Sequence, residues 1–131
     1  MKPFAIWFAV IAVAFGALAV TTVVTRRTEQ VFVVVDSSFP MVPVWARVPS
    51  ELDRIGARDH TEFALATEKR SIHPYRAELG RPTGEPFAPC DFDALDAYAD
   101  ASVADDRILV TTPGSCDTDG LTGWTVVLLT P

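Results

Sequence analysis

The two cysteines, Cys90 and Cys116, carry the most definite chemistry in the chain. They lack CxxC spacing, and no histidine cluster stands near either. An even pair in an exported domain reads as one disulfide, closing a loop of 26 residues. A structural staple is the preferred reading over a redox-active pair. The spacing is wrong for a dithiol motif, and no basic neighbour in sequence would lower a thiol pKa. The second candidate is Asp36-Ser37-Ser38, three small polar groups at the end of an apolar run. Asp36 and Ser38 are the candidate ligands for a divalent cation, but a hard cation takes several oxygen ligands and one carboxylate is too little. The expectation is therefore no metal, no cofactor and no catalytic residue. Asp36 and Ser38 instead cap the loop that follows, as Asx and Ser turns do.

The remaining chemistry-bearing residues read blandly. Asp117-Thr118-Asp119-Gly120 lacks the further acids and the distal Glu of a calcium loop, so it reads as an acidic turn. His60 and His73 are isolated. Ser37 and Ser38 have no Gly-x-Ser-x-Gly elbow, and no Gly-rich phosphate loop occurs. The acids from Asp91 to Asp106 form a solvated face, or a docking surface for a basic partner. Phe39, Met41, Val42, Val44 and Trp45 form a proline-spaced apolar segment, read first as core or helix-packing material rather than a binding loop; exposed, it would mark a protein contact.

The elements that must position these groups follow from pattern. Val31 to Val35 are five consecutive apolar, mostly β-branched residues, the signature of a strand buried on both faces. Pro40, Pro43 and Pro49 make the next stretch irregular. A helix starts at Pro49 or Ser50, with Ser50 as N-cap, and ends at Gly56. Glu62 to Thr67 is a second strand, left through Glu68-Lys69-Arg70, and Ile72 to Tyr75 adds a short extended piece. Gly80 to Pro89 is a loop. Asp91 caps a second helix carrying Phe92, Leu95, Tyr98 and Ala99. Arg107 to Thr112 and Trp124 to Leu129 are the last main strands. Strands alternating with helices imply a small α/β, Rossmann-like, mostly parallel sheet of about four strands. The connection from Pro113 to Gly123 is too short for a helical crossover, so the last strand is expected antiparallel to its predecessor or at an edge. The C-terminal edge of such a sheet would gather Asp36 to Ser38, Glu68, Lys69, the loop after Thr112 and both cysteines.

Val31-Phe32-Val33-Val34-Val35-Asp36-Ser37-Ser38 resembles the first strand of the von Willebrand factor A (vWA) family and the opening of its DxSxS metal motif. Arg107 to Gly114 is similar to that family's later strand, which usually ends in Thr-Asp-Gly. The similarity covers about residues 31 to 130. It implies a Rossmann-like sheet and a metal-dependent binding edge. Pro40 occupies the third position of the motif, however, and Thr112 stands where the family's acid would be. The resemblance therefore implies a reduced member without its metal.

Phe4 to Val24 is an uncharged run of 21 residues, bounded by Lys2 and by Arg26-Arg27. As a helix it would span about 31 Å, near the bilayer's apolar thickness. Residues 1–27 are therefore read as a transmembrane anchor and 28–131 as the α/β domain. Ala17-Leu18-Ala19 offers a signal-peptidase pattern, but the apolar run continues past it. Positive charges on the two sides nearly tie. The cysteine pair points to a domain outside the cytoplasm, periplasmic or extracellular.

Beyond Thr28 stand all 17 acidic residues but only 8 of the 11 basic ones. Such an acidic body argues against nucleic-acid binding. The expected function is a membrane-anchored, non-enzymatic accessory or assembly protein. It contacts lipid through residues 4–24 and another membrane or periplasmic protein through its domain. Two alternatives stand beside it: a metal- or ligand-binding vWA-like sensor or adhesion module, and a thiol-disulfide oxidoreductase.

Overall fold

A computed structural model describes residues 10–14 and 27–131. The 4–24 run lies outside these except for residues 10–14, which are helical. Among the described residues no helix is long and apolar enough to cross a membrane.

Five strands form one sheet: β1 (Glu29–Val35), β2 (Thr61–Thr67), β3 (Ser71–Arg76), β4 (Asp106–Thr111) and β5 (Thr125–Leu128). Their order is β3-β2-β1-β4-β5. β1 is central and pairs parallel with both β2 and β4. β3 returns antiparallel to β2 through the turn Thr67–Arg70, and Pro74 sits on this outer strand, where a missing donor is tolerated. The sheet is mixed α/β and mostly parallel, as expected, with five strands because residues 71–76 pair with β2, though with register shifts between Phe63 and Ala66.

β1 is apolar throughout because both its faces are covered. Val31, Val33 and Val35 pack on one side with Met41, Val44, Leu52 and Ile55. Phe32 and Val34 pack on the other with Phe92, Leu95, Ala101 and Trp124. The first face is covered by the β1–β2 connection and the second by the β3–β4 and β4–β5 connections. The chain thus leaves β1 and β4 in opposite directions, which opens a crevice between their C-terminal ends. In open α/β sheets this is where ligands settle.

Three local expectations need correction. The proline-spaced stretch is a regular 3-10 helix over Phe39–Arg47, which runs directly into the α-helix α1 (Val48–Gly56). Pro40 opens the helix, where its missing N–H is harmless. Because Arg47 and Val48 are already helical, no cap is needed at Ser50; its hydroxyl instead bonds the Arg47 carbonyl at 2.9 Å. Second, Asp91 does not start a continuous helix. It caps a turn, accepting the Asp93 N–H at 3.0 Å, and only a 3-10 turn (Leu95–Ala97) and a four-residue helix α2 (Ala99–Ser102) follow. Tyr98 is extended (ψ 132°) between them, because its ring is drawn onto Phe32, with centroids 5.5 Å apart. Third, β5 is parallel to β4, although it does lie at the edge. Residues 112–124 cross over without a helix, and their Trp124 and Leu121 supply the apolar cover a helix would have given. Gly123, with φ 81°, makes the final turn into the strand.

Candidate functional site

Asp36 follows the last residue of β1, and its N–H continues the ladder to the Val110 carbonyl of β4 at 2.9 Å. Its carboxylate lies in the crevice between β1 and β4 with no solvent exposure. One oxygen accepts the Ser38 N–H at 2.9 Å and the Ser38 hydroxyl at 2.5 Å. The other accepts the hydroxyls of Thr111 at 2.7 Å and Ser115 at 2.5 Å. Four donors fill the roughly four acceptor positions of a carboxylate. The expected capping role of Asp36 toward Ser38 is present. Thr111 and Ser115 add a cage that sequence alone did not reveal. The residue meeting Asp36 from β4 is Thr111 rather than Thr112.

A second cluster flanks the first on the β2 side. The Glu68 side chain is only 2% exposed. It accepts the Ser37 N–H at 2.8 Å and the Ser37 hydroxyl at 3.1 Å. Lys69 reaches Glu68 at 2.5 Å and donates to the carbonyl and the hydroxyl of Ser37, each at 2.8 Å. Its ammonium also lies 4.3 Å from the centre of the Phe87 ring. Serine, lysine and glutamate in contact are the groups of an acyl-transfer centre. Here the Ser37 hydroxyl accepts from Lys69 and donates to Glu68, so all three side chains are tied to one another. The cluster joins the end of β1 to the turn after β2. Nearby, Tyr98 donates to the Thr67 carbonyl at 2.7 Å, and burial first, then the Glu68 charge, push its pKa up.

Above this cluster is a cleft of about 370 Å³, walled by Trp45 from the 3-10 helix and by Phe87. The turn after β2 presents Lys69 and Arg70 to it, and the loop before Cys90 presents Thr83 and Glu85. The turn is fixed by the Thr67 N–H to Arg70 carbonyl bond at 2.8 Å.

Cys90 and Cys116 are disulfide-bonded with Cα atoms 5.8 Å apart, on the same sheet edge, where the sequence placed them. A shallow groove of about 620 Å³ runs over the bond and is rimmed by Asp91, Asp93 and Asp117. The lining of this groove carries three carboxylates and no basic group. Asp117 accepts the Asp119 N–H at 2.9 Å, the acidic turn that was expected. His73 is buried, with Nδ1 donating to the Pro74 carbonyl at 2.8 Å and Nε2 accepting from Gly80 at 3.0 Å, so both ring nitrogens are used. His60 is exposed, with φ 51°. Among the described residues no group of three His, Cys, Asp or Glu could hold a metal ion.

Family models, curated proteins and solved structures give no match to this chain.

Proposed function

We propose that the chain is a membrane-anchored accessory or assembly protein acting through contacts of its α/β domain with another membrane or periplasmic protein. The observation that carries this reading is an apolar surface on the C-terminal edge of the sheet. Phe39 is 60% exposed, Val42 57% and Phe87 58%. Single exposed apolar residues are ordinary, but Phe39 and Val42 stand three residues apart on one helix, and Phe87 lies on the segment bonded alongside its start. Residues 39, 42 and 45 recur at the three-residue period of the 3-10 helix, with Met41 and Val44 turned into the core. Phe39 N–H bonds Ala88, and Phe87 N–H bonds Ser37, so the two segments lie side by side. Arg47 ends the same helix, exposed and without a carboxylate partner among the described residues. A partner surface combining apolar side chains with an acid fits this face. The disulfide supports a domain outside the cytoplasm.

Affinity capture from native membranes with the detergent-solubilised full chain tests this. A partner retained by the wild type and lost by Phe39→Ser/Val42→Ser, at an unchanged melting temperature, is the expected result. An identical set of retained proteins would refute it. The intact mass of the membrane-extracted protein tests the anchor; a species beginning at Val20 would show cleavage.

A second reading, the vWA-like metal-binding module, is favoured by the convergence of Asp36, Ser38, Thr111 and Ser115 on one point. A cation there would require the three hydroxyls to turn their lone pairs inward and release the carboxylate. A melting shift with magnesium or calcium, lost in Asp36→Asn, would promote this reading over the first.

A further inference from the structure

The geometry points to a binding site for a small zwitterionic ligand, a free α-amino acid with an apolar side chain, in the cleft between the 3-10 helix and the loop before Cys90. This goes beyond the partner-binding reading and does not depend on it. The cleft stands at the C-terminal ends of the parallel pair β1 and β2, the sheet edge that collects ligands in this architecture. Its volume of about 370 Å³ is at the low end of ligand sites, which suits a small molecule. Trp45 and Phe87 supply apolar walls, and the floor is immobilised by the Ser37, Glu68 and Lys69 bonds.

The charges decide the ligand class. Lys69 is neutralised by Glu68 and all three of its ammonium protons are engaged, so it fixes the floor without needing an anion. Arg70 has one long contact in the cleft, to the Thr83 hydroxyl at 3.4 Å, and makes no ion pair among the described residues. Glu85 lines the same cleft and likewise has no cationic partner among them. A guanidinium and a carboxylate that share one cleft yet do not meet leave a gap complementary to a ligand bearing both opposite charges. The ligand carboxylate would pair with Arg70, its ammonium with Glu85, and its side chain would lie between the two aromatic walls. An anion alone would be repelled by Glu85, and a cation alone by Arg70.

Isothermal titration of the purified full chain with L-leucine and L-phenylalanine tests this, with N-acetyl-leucine, leucinamide and a capped Leu tripeptide as controls. Binding of the free amino acids, weakened about tenfold or more by Arg70→Ala and by Glu85→Ala, is the expected result. The N-acetyl and amide forms, each lacking one charge, should bind correspondingly worse. Both substituted residues are exposed, so melting temperatures should hold and report intact folding. No heat with either amino acid would overturn the proposal. So would equal affinity for N-acetyl-leucine, which would make the site a simple anion site. Equal affinity for the capped tripeptide would do the same and make the cleft a peptide groove.

Discussion

The hydroxyl of Ser115 lies 2.5 Å from the carboxylate of Asp36, across 79 positions of sequence. That bond ties the β4–β5 crossover to the end of the central strand. The disulfide one residue further on ties the same crossover to the loop that flanks Phe39.

Replacing Asp36 by alanine removes the acceptor of four hydrogen bonds and strands three buried or half-buried hydroxyls. We predict a loss of about 3 kcal/mol, larger than that of an ordinary cap because the stranded donors are shielded from water. Asp36→Asn, which keeps one acceptor oxygen, should lose less. Urea unfolding of the two variants gives the comparison, and equal midpoints for wild type and alanine would contradict the caging role.

Reducing Cys90–Cys116 frees a loop of 26 residues. The chain-entropy model gives a loss of about 3–4 kcal/mol. The melting temperature should fall with dithiothreitol and should not change in a Cys90→Ser/Cys116→Ser variant treated the same way. The Phe32 face should loosen first, since Cys116 packs against that cluster.

Glu68→Gln leaves the Lys69 ammonium and the Ser37 N–H facing a neutral amide. A loss of about 2 kcal/mol is expected. Glu68→Gln combined with Lys69→Met should be less destabilised than the sum of the single changes, because the second change removes the orphaned charge. A double-mutant cycle in guanidinium measures it. Strict additivity would mean that the pair is not coupled.

At alkaline pH the two tyrosines with raised pKa contribute to stability. Burial, followed by the charges of Asp100 and Asp105, pushes the Tyr75 hydroxyl up to about 12. In the unfolded chain it ionises near ~10. Between those values the folded state keeps a proton that the unfolded state has released. The resulting stability is complete below pH ~10 and is lost as pH rises through about 12. Tyr98 is shifted in the same direction. Tyr75→Phe should flatten this decline. It should also lower stability at pH 7 by about 1 kcal/mol through loss of the 2.6 Å bond to the Asp100 carbonyl. Unfolding midpoints measured from pH 7 to 12 provide the readout.

Much of this architecture is legible in the residues. Val31 to Val35 announce a strand buried on both faces, and the cysteines announce their bond, because each signal is local or nearly unique. The segments with a three-residue apolar period were harder to read. Residues 39, 42 and 45, like residues 92, 95 and 98, fit a 3-10 turn or the first part of an α-helix equally well. Prolines in the first segment suggested disorder of pattern, whereas Pro40 opens a regular helix. In the second, the demand of Phe32 for the Tyr98 ring overrode helix propensity. Glu68 reads as part of the polar exit from a strand, and its bond to Ser37, 31 positions away, has no local signal. Ser115 had no signal beyond its place between Gly114 and Cys116. No periodicity reports a contact made across the sheet.

The direction of β1 sets a height. Its seven residues extend about 23 Å at ~3.3 Å each, and every strand parallel to it points the same way. Arg27 and Glu29 lie at one end of the sheet, while Asp36, the cleft and the exposed Phe39 stand at the other. The parallel sheet is a spacer between these two ends. A partner or solute that meets the apolar face is therefore held a full strand length away from Arg27 and Glu29.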